Sequence, residues 1–434
     1  MKNHTPKAAC TMLLVSGAIA LGAEPQTTDT LADTLTETIT EMASTISENY
    51  VFPDKGEAIA SLLMQSLENG DYDELNRPEL AHTLEGQIRE LTHDLHFGVR
   101  PLPQGWTPPS DEDEDVSFRP GPQAPYGFES VQRLSGNIGY IDLRGFNPAR
   151  AIDETIEAAM ILLQGSNSVI FDLRKNGGGD PAAVQLISSY FFDPSEPVHL
   201  NSLYFRPDDR TTEFWTHDNI EISLAMPDVP MYVLTSGRTF SAAEEFTYNL
   251  KNLERATIIG ETTGGGAHPV DSLIFNNELM VILPIARAIN PISGTNWEGT
   301  GVSPDIQTDA DDALNVAISH ALQASLDAGD ESARWGLANI QADLSPIQLS
   351  EDLINELVGQ YGPRHIRKGE LGVEYRREGV SQWRPLICFG ADQFVIEGFD
   401  SFIMEFKRDD SGSIIGIEGQ YPQRDPDFSA RNES

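Results

Sequence analysis

Four residues in turn-rich surroundings have side chains suited to acyl transfer: Ser241, His96, His268 and Glu298. Ser241 lies in Thr235-Ser-Gly-Arg-Thr-Phe-Ser-Ala-Ala-Glu-Glu245. The apolar run Met231 to Leu234 before it reads as a buried strand, and Phe246, Leu250 and Leu253 after it fit one helix face. A serine at that handover meets open backbone N–H groups and the positive end of a helix dipole, which suits a nucleophile. The competing reading is a helix cap, with Glu244 closing a capping box. Asp172-Leu-Arg-Lys-Asn-Gly-Gly-Gly-Asp180 also leaves a strand and enters a helix. Glycines there permit unusual backbone angles and close approach, so the run reads as an oxyanion site built from backbone N–H groups or as a tight turn. It lacks the Gly-Lys-Ser/Thr ending of a phosphate loop.

His96 lies in Thr92-His-Asp-Leu-His-Phe97 and His268 in Gly260-Glu-Thr-Thr-Gly-Gly-Gly-Ala-His-Pro269. Either can serve as the base for Ser241, and either can equally be a packing histidine, because function needs mutual geometry. Glu298, in Asn296-Trp-Glu-Gly-Thr-Gly-Val-Ser-Pro-Asp305, can orient an imidazole as the third member of a triad or simply accept from nearby backbone N–H groups. The histidines are scattered and Cys388 is the one cysteine beyond the N-terminal region, so no compact zinc-type ligand set is visible. No metal and no cofactor are expected, and chelation should not inhibit.

The elements that must position these residues follow from the apolar spacing. Residues 24–100 read as helical, with Leu31, Leu35, Ile39, Met42 and Ile46 on one face and Leu80, Leu84, Ile88 and Leu91 on another. Residues 101–125 hold several prolines and the acidic run Asp111 to Asp115, and read as a linker or loop. From 126 to 330 strands and helices alternate: Ile138–Leu143, a helix through Ile152 and Leu163, Val169–Leu173, a helix from Pro181, the Met231 strand, the Ser241 helix, and a hairpin around Asn276-Asn277. Ala310 to Leu326 reads as a helix. Such alternation implies an α/β sheet with crossover connections. Residues 340–434 read as a small β-rich C-terminal module, opened by one helix from Ile347 to Gly359.

Over 434 residues the net charge is -38. A chain this acidic is a poor partner for nucleic acid or anionic membrane surfaces. Lys2 and Lys7, the apolar Ala8 to Leu21, and small residues at Ala18, Ala20 and Ala23 form an export signal over 1–23, with Cys10 too early to carry a lipid. The run is too short to span a membrane. The expected location is therefore periplasmic or extracellular.

Four segments, taken in order, resemble the tail-specific protease family, the S41 serine peptidases: Asp94-Leu-His96, Asp172 to Gly179, Ser241-Ala-Ala-Glu244 with Gly260-Glu-Thr-Thr-Gly264, and Gly301-Val-Ser-Pro-Asp305. The likeness is greatest to the branch with the interphotoreceptor retinoid-binding protein modules and the tricorn-type core. The resemblance implies a ClpP/crotonase-like α/β core with a helical N-terminal subdomain. It gives Ser241 the nucleophile's position and gives Gly178 and Ala242 the oxyanion hole. Processing-type members carry a lysine where Gly266 stands, so their Ser-Lys dyad is absent. Tricorn-type members use a histidine and a late glutamate at the positions of His96 and Glu298, with a serine where Leu95 stands here. The implied activity is an exported serine-type peptidase acting on peptide or protein substrates. The alternatives on the same fold are a non-catalytic binding module for apolar ligands or peptides, and a small-substrate esterase.

Overall fold

The computed structural model describes residues 28–107, 127–370 and 372–432. The expected export signal over 1–23, Cys10 and the acidic run Asp111–Asp115 lie outside the described residues. Among the described residues no helix is long and apolar enough to cross a membrane.

The centre is a six-stranded sheet in the order β12 (Ile306–Gln307), β8 (Ala256–Gly260), β7 (Met231–Thr235), β4 (Ser168–Asp172), β3 (Ile138–Leu143), β2 (Phe128–Leu134). Every neighbouring pair is parallel except β2 and β3. Strands β4 and β7 are buried at every residue, which is why each reads as a continuous apolar run rather than an alternation. One face is covered by α4 (Ala149–Leu163), α5 (Pro181–Ser189) and α6 (Ala242–Asn252), through Ile152, Ile156, Met160, Leu163, Val184, Ile187, Phe246 and Leu250. The other face is covered by α7 (Ala313–Asp327) and α8 (Ala333–Leu344), whose Ala313, Ala317, Ala321 and Leu337 pack on Tyr140, Ile170, Tyr232 and Leu234. Chain ends of parallel strands are where such sheets present ligands. Ser241 and the glycine run 177–179 both follow those ends.

The helical segment comprises α1 (Thr28–Asn49), α2 (Pro53–Glu68) and α3 (Arg77–Thr92). It does not close a core by itself. Ile39, Met42, Ile46, Leu63, Leu84 and Ile88 pack with Phe275, Leu279, Val281 and Leu283 of the hairpin β9 (Val270–Phe275) and β10 (Leu279–Pro284). Strand β1 (Gly98–Pro101) completes that sheet by pairing with β10. Asn276 and Asn277 both adopt φ of 51° in the three-residue connection, where Glu278 N–H donates to Phe275 O at 3.0 Å. A further antiparallel sheet, β11 (Ala286–Ile289), β5 (His199–Phe205) and β6 (Arg210–Trp215), was not signalled by the apolar spacing.

The C-terminal strands β13 (Gly359–Tyr361) to β20 (Arg424–Ala430) form one antiparallel meander of eight strands. Tyr361 bridges Arg431, and Asn432 N–H donates to Gln360 O at 2.8 Å, so the last strand returns to the first and the meander closes as a barrel. Closure removes the free edges. Its interior is filled by Phe394, Phe406, Met404 and Ile417, with Ile354 and Leu357 of α9 (Glu351–Leu357) in the same cluster. The expected helix from Ile347 to Gly359 is therefore shorter: Ser350 accepts from Leu353 N–H and starts it, and Gly359 already belongs to β13. Helix α8, absent from the spacing-based reading, joins the parts: Ala338 and Ala342 pack on Val395 and Ile403 of the barrel.

Candidate active site

Ser241 stands immediately before α6 with φ 55° and ψ −122°. A non-glycine residue in that region is strained and persists only where its surroundings hold it. They do so here. Phe240 N–H donates to Asn176 O at 3.1 Å, Thr239 Oγ1 donates to Leu173 O at 2.8 Å, and Ser236 Oγ donates to Arg174 O at 2.7 Å. The loops after β4 and β7 are thereby stitched together. A Cβ on Gly178 would lie 2.7 Å from Ser241 Cβ and 3.0 Å from Ala242 N, so only glycine allows this approach. The Gly178 N–H donates to Asn176 Oδ1 at 2.9 Å. Service of that N–H in an oxyanion hole therefore requires the Asn176 bond to be shared or exchanged.

Glu244 is fully buried and gathers four donors. Its carboxylate accepts from Ser241 N–H at 2.9 Å, Gly265 N–H at 2.7 Å, Gly266 N–H at 2.8 Å and Thr263 Oγ1 at 2.5 Å. Burial raises its pKa against these hydrogen bonds, which lower it. Glu244 supplies the backbone half of a capping box and also clamps the glycine loop to the start of α6. The far side of that loop is held by Trp297 Nε1 donating to Gly266 O at 2.6 Å and by Ala267 N–H donating to Glu298 Oε2 at 2.6 Å. Glu298 thus makes the backbone contact expected of a loop carboxylate, and its Oε1 stays buried without a hydrogen-bond partner.

His96 follows the left-handed cap of α3 at His93. Asp94 Oδ1 accepts from His96 N–H at 3.0 Å, and Arg89 donates to Phe97 O at 2.9 Å, fixing the loop. The His96 ring lies 4.6 Å, centroid to centroid, from Phe240, the residue before the nucleophile. Both its ring nitrogens are buried without a partner, so it makes no hydrogen bond to Ser241 or Glu298 in this state. Burial drops its pKa from 6.5 to about 4, against the pull of Asp94, and leaves the imidazole neutral. A Cβ on Gly266 would lie 2.5 Å from His96 Cε1 and 2.3 Å from the Phe240 ring. A side chain at 266 and the ring of His96 therefore compete for one volume.

His268 does not stand apart from this group. Its Nδ1 lies 2.7 Å from Asp94 Oδ2 and 3.5 Å from Glu298 Oε2, and it is 3 % exposed. Tyr50 OH donates to the same Asp94 oxygen at 2.9 Å. Burial works to raise the Asp94 pKa, but the His268 and Tyr50 hydrogen bonds and the nearby imidazoles outweigh it and hold it below the usual carboxylate value. Burial lifts the Tyr50 hydroxyl, and it lifts Glu298 from 4.5 to about 7, helped by Asp94 and opposed by His268. Asp94 and Tyr50 hold this group together although local pattern gives neither a role. The Asp-x-His spacing was the signal for Asp94, and Tyr50 had none. Spacing along the chain shows no compact metal-ligand set; in the fold Asp94, His96 and Glu298 bring ligand atoms within 4.8 Å of one another. The fold brings Glu298 to a pair that the sequence already holds two positions apart.

Residues 137–308 match Peptidase family S41, and residues 26–134 match the N-terminal domain of Peptidase_S41 in eukaryotic IRBP. The carboxyl-terminal-processing peptidase 1 of the Arabidopsis thaliana chloroplast is 25% identical over 182 residues, which are 42% of this chain and 36% of that protein. The chloroplastic C-terminal processing peptidase of Tetradesmus obliquus is 28% identical over 173 residues, 40% of this chain and 35% of that protein. The matches thus span about a third of the length of these relatives. Among solved structures, mature CPAF overlays with a TM-score of 0.48 at 12% identity, covering 70% of this chain and 99% of that one.

Proposed function

Since the chain belongs to peptidase family S41, we propose that it is an exported serine-type peptidase that cleaves peptide bonds through Ser241, His96 and Glu298. The observation that carries the reading is the strained backbone of Ser241 at the strand-to-helix turn, immediately before the N-terminus of α6. In this reading Ser241 Oγ attacks the scissile carbonyl carbon. His96 takes the hydroxyl proton and passes it to the leaving amine. Glu298 steadies the imidazolium as it forms. Backbone N–H groups of Ala242 and the glycine run hold the oxyanion, each worth roughly 3–4 kcal/mol of transition-state stabilisation.

His96 is favoured over His268 as the base because its nitrogens are uncommitted, whereas His268 is bound to Asp94 at 2.7 Å. In this scheme the Asp94, Tyr50 and His268 group is the wall behind the base. Substrate binding would bring His96 and Ser241 into hydrogen-bond reach, since catalytic bonds often tighten only in the loaded site.

The test is fluorophosphonate labelling of the mature chain, followed by peptide mapping. Label on Ser241, lost in Ser241→Ala together with peptide turnover, supports the reading. Turnover retained in Ser241→Ala defeats it and leaves the binding module. Cleavage of small esters without any peptide turnover would favour the esterase.

A further inference from the structure

We propose that the space between Asp94, His96 and Glu298 takes a zinc-type divalent cation, and that the bound ion holds the peptidase off by occupying its base. The inhibitory half rests on His96 being that base; the ion site itself does not.

This group holds acceptors that lack donors. A carboxylate offers about four lone-pair sites. Asp94 spends three: Oδ2 accepts from Tyr50 OH and from His268 Nδ1–H, and Oδ1 accepts from His96 N–H. One site remains. Glu298 spends Oε2 on Ala267 N–H, and its buried Oε1 has no partner. Both ring nitrogens of His96 are buried and unpartnered. Asp94, His96 and Glu298 thus each keep a free acceptor site, and each has a ligand atom within 4.8 Å of one on the other two. Buried polar atoms left unpaired in a native fold call for a water or an ion, and two carboxylates with one imidazole favour a cation.

The chemistry selects the class of ion. One nitrogen and two carboxylate oxygens suit a borderline dication such as Zn2+ or Co2+ better than Mg2+ or Ca2+, which prefer all-oxygen shells. Three protein ligands leave a fourth position for water. The surrounding hydrogen bonds from Tyr50, His268 and Ala267 orient the ligating carboxylates, as outer partners of metal sites do. His96 and Glu298 are partly buried and Asp94 is buried.

The test begins with metal-free mature chain titrated with Co2+, read by its d–d absorption and then displaced with Zn2+. One Co2+ per chain, displaced by Zn2+, is expected, with the Kd weakened at least about 100-fold in Glu298→Gln. That variant keeps an oxygen for the Ala267 N–H, so the loop stays in place. Asp94→Asn gives a second, independent reading. Absence of saturable binding, or binding unchanged in both variants, overturns the site. The second measurement is fluorophosphonate labelling with and without Zn2+. Loss of labelling at saturating Zn2+, restored by EDTA, is expected. Co2+ binding that leaves labelling untouched overturns the inhibitory role, and labelling that requires metal overturns it in the opposite sense. Failure of labelling both with and without metal would sink the serine-peptidase reading and the inhibitory role with it, while the Co2+ titration still decides the ion site.

Discussion

Burial pushes His96 and Glu298 toward neutrality, and their pH behaviour follows. His96 stays unprotonated down to about pH 4, while Glu298 is ionised only above about pH 7. If Glu298 must be charged to steady the imidazolium, kcat/KM should climb through about pH 7. Glu298→Gln should lower the plateau and abolish that limb; a limb that survives belongs to another group. The stability consequence has a definite sign. The raised Glu298 pKa favours the fold below about 4.5, and that contribution is lost as pH rises through about 7. Glu298→Gln should therefore stabilise the protein above about pH 7, with the gain fading toward pH 4.5, as read by thermal midpoints across pH. His96 runs the other way, contributing above 6.5 and losing its contribution as pH falls through about 4. The two histidines should also part in mutation. His96→Ala should lower kcat by orders of magnitude at nearly constant stability. His268→Ala leaves Asp94 buried without its 2.7 Å partner and should cost about 3–5 kcal/mol of stability. If kcat instead falls further in His268→Ala than in His96→Ala, the base lies in the glycine loop.

The glycine loop between β8 and β9 is the element on which the site turns. Glu244 holds it from the α6 side and Trp297 and Glu298 from the other. Its Gly266 leaves room for the His96 ring. Gly266→Ala sets a methyl 2.5 Å from His96 Cε1 and 2.3 Å from the Phe240 ring, so the pair of rings must shift. The expected outcome is a folded protein destabilised by about 1–3 kcal/mol that has lost most of its fluorophosphonate reactivity. Wild-type reactivity in this variant would show that the His96 position is not needed for Ser241 to react.

At the scale of the whole molecule, a net charge of -38 opposes compaction. Salt shortens the screening length from about 30 Å at 0.01 M to about 3 Å at 1 M, so the thermal midpoint should rise steadily over that range of NaCl. A midpoint that falls would mean attractive ion pairs outweigh the repulsion. The closed barrel packs on α8 through Val395 and Ile403. A chain ended after Leu344 should keep Ser241 labelling and lose thermal stability, because Ala338 and Ala342 become exposed. Loss of labelling in a truncated chain that remains folded would give the barrel a part in the site.

Local patterns made much of this readable in advance. The fully buried β4 and β7 appear as unbroken apolar runs, the Asn276-Asn277 pair announces its hairpin, and the strand-to-helix position of Ser241 follows from the residues either side of it. These features depend on neighbours in the chain, so periodicity and turn chemistry suffice to find them. The helix α8 and the sheet of β5, β6 and β11 escaped because small alanines and short mixed strands leave weak periodic signals. The partnership of Asp94 with His268, 174 residues apart, the commitment of Gly178 N–H to Asn176, and the closure of the barrel by Tyr361 and Arg431 have no local signature. They arise only when packing brings distant segments together. That packing leaves His96 and the Oε1 of Glu298 unpaired and ties His268 to Asp94, so the difference between the two histidines is a property of the tertiary structure.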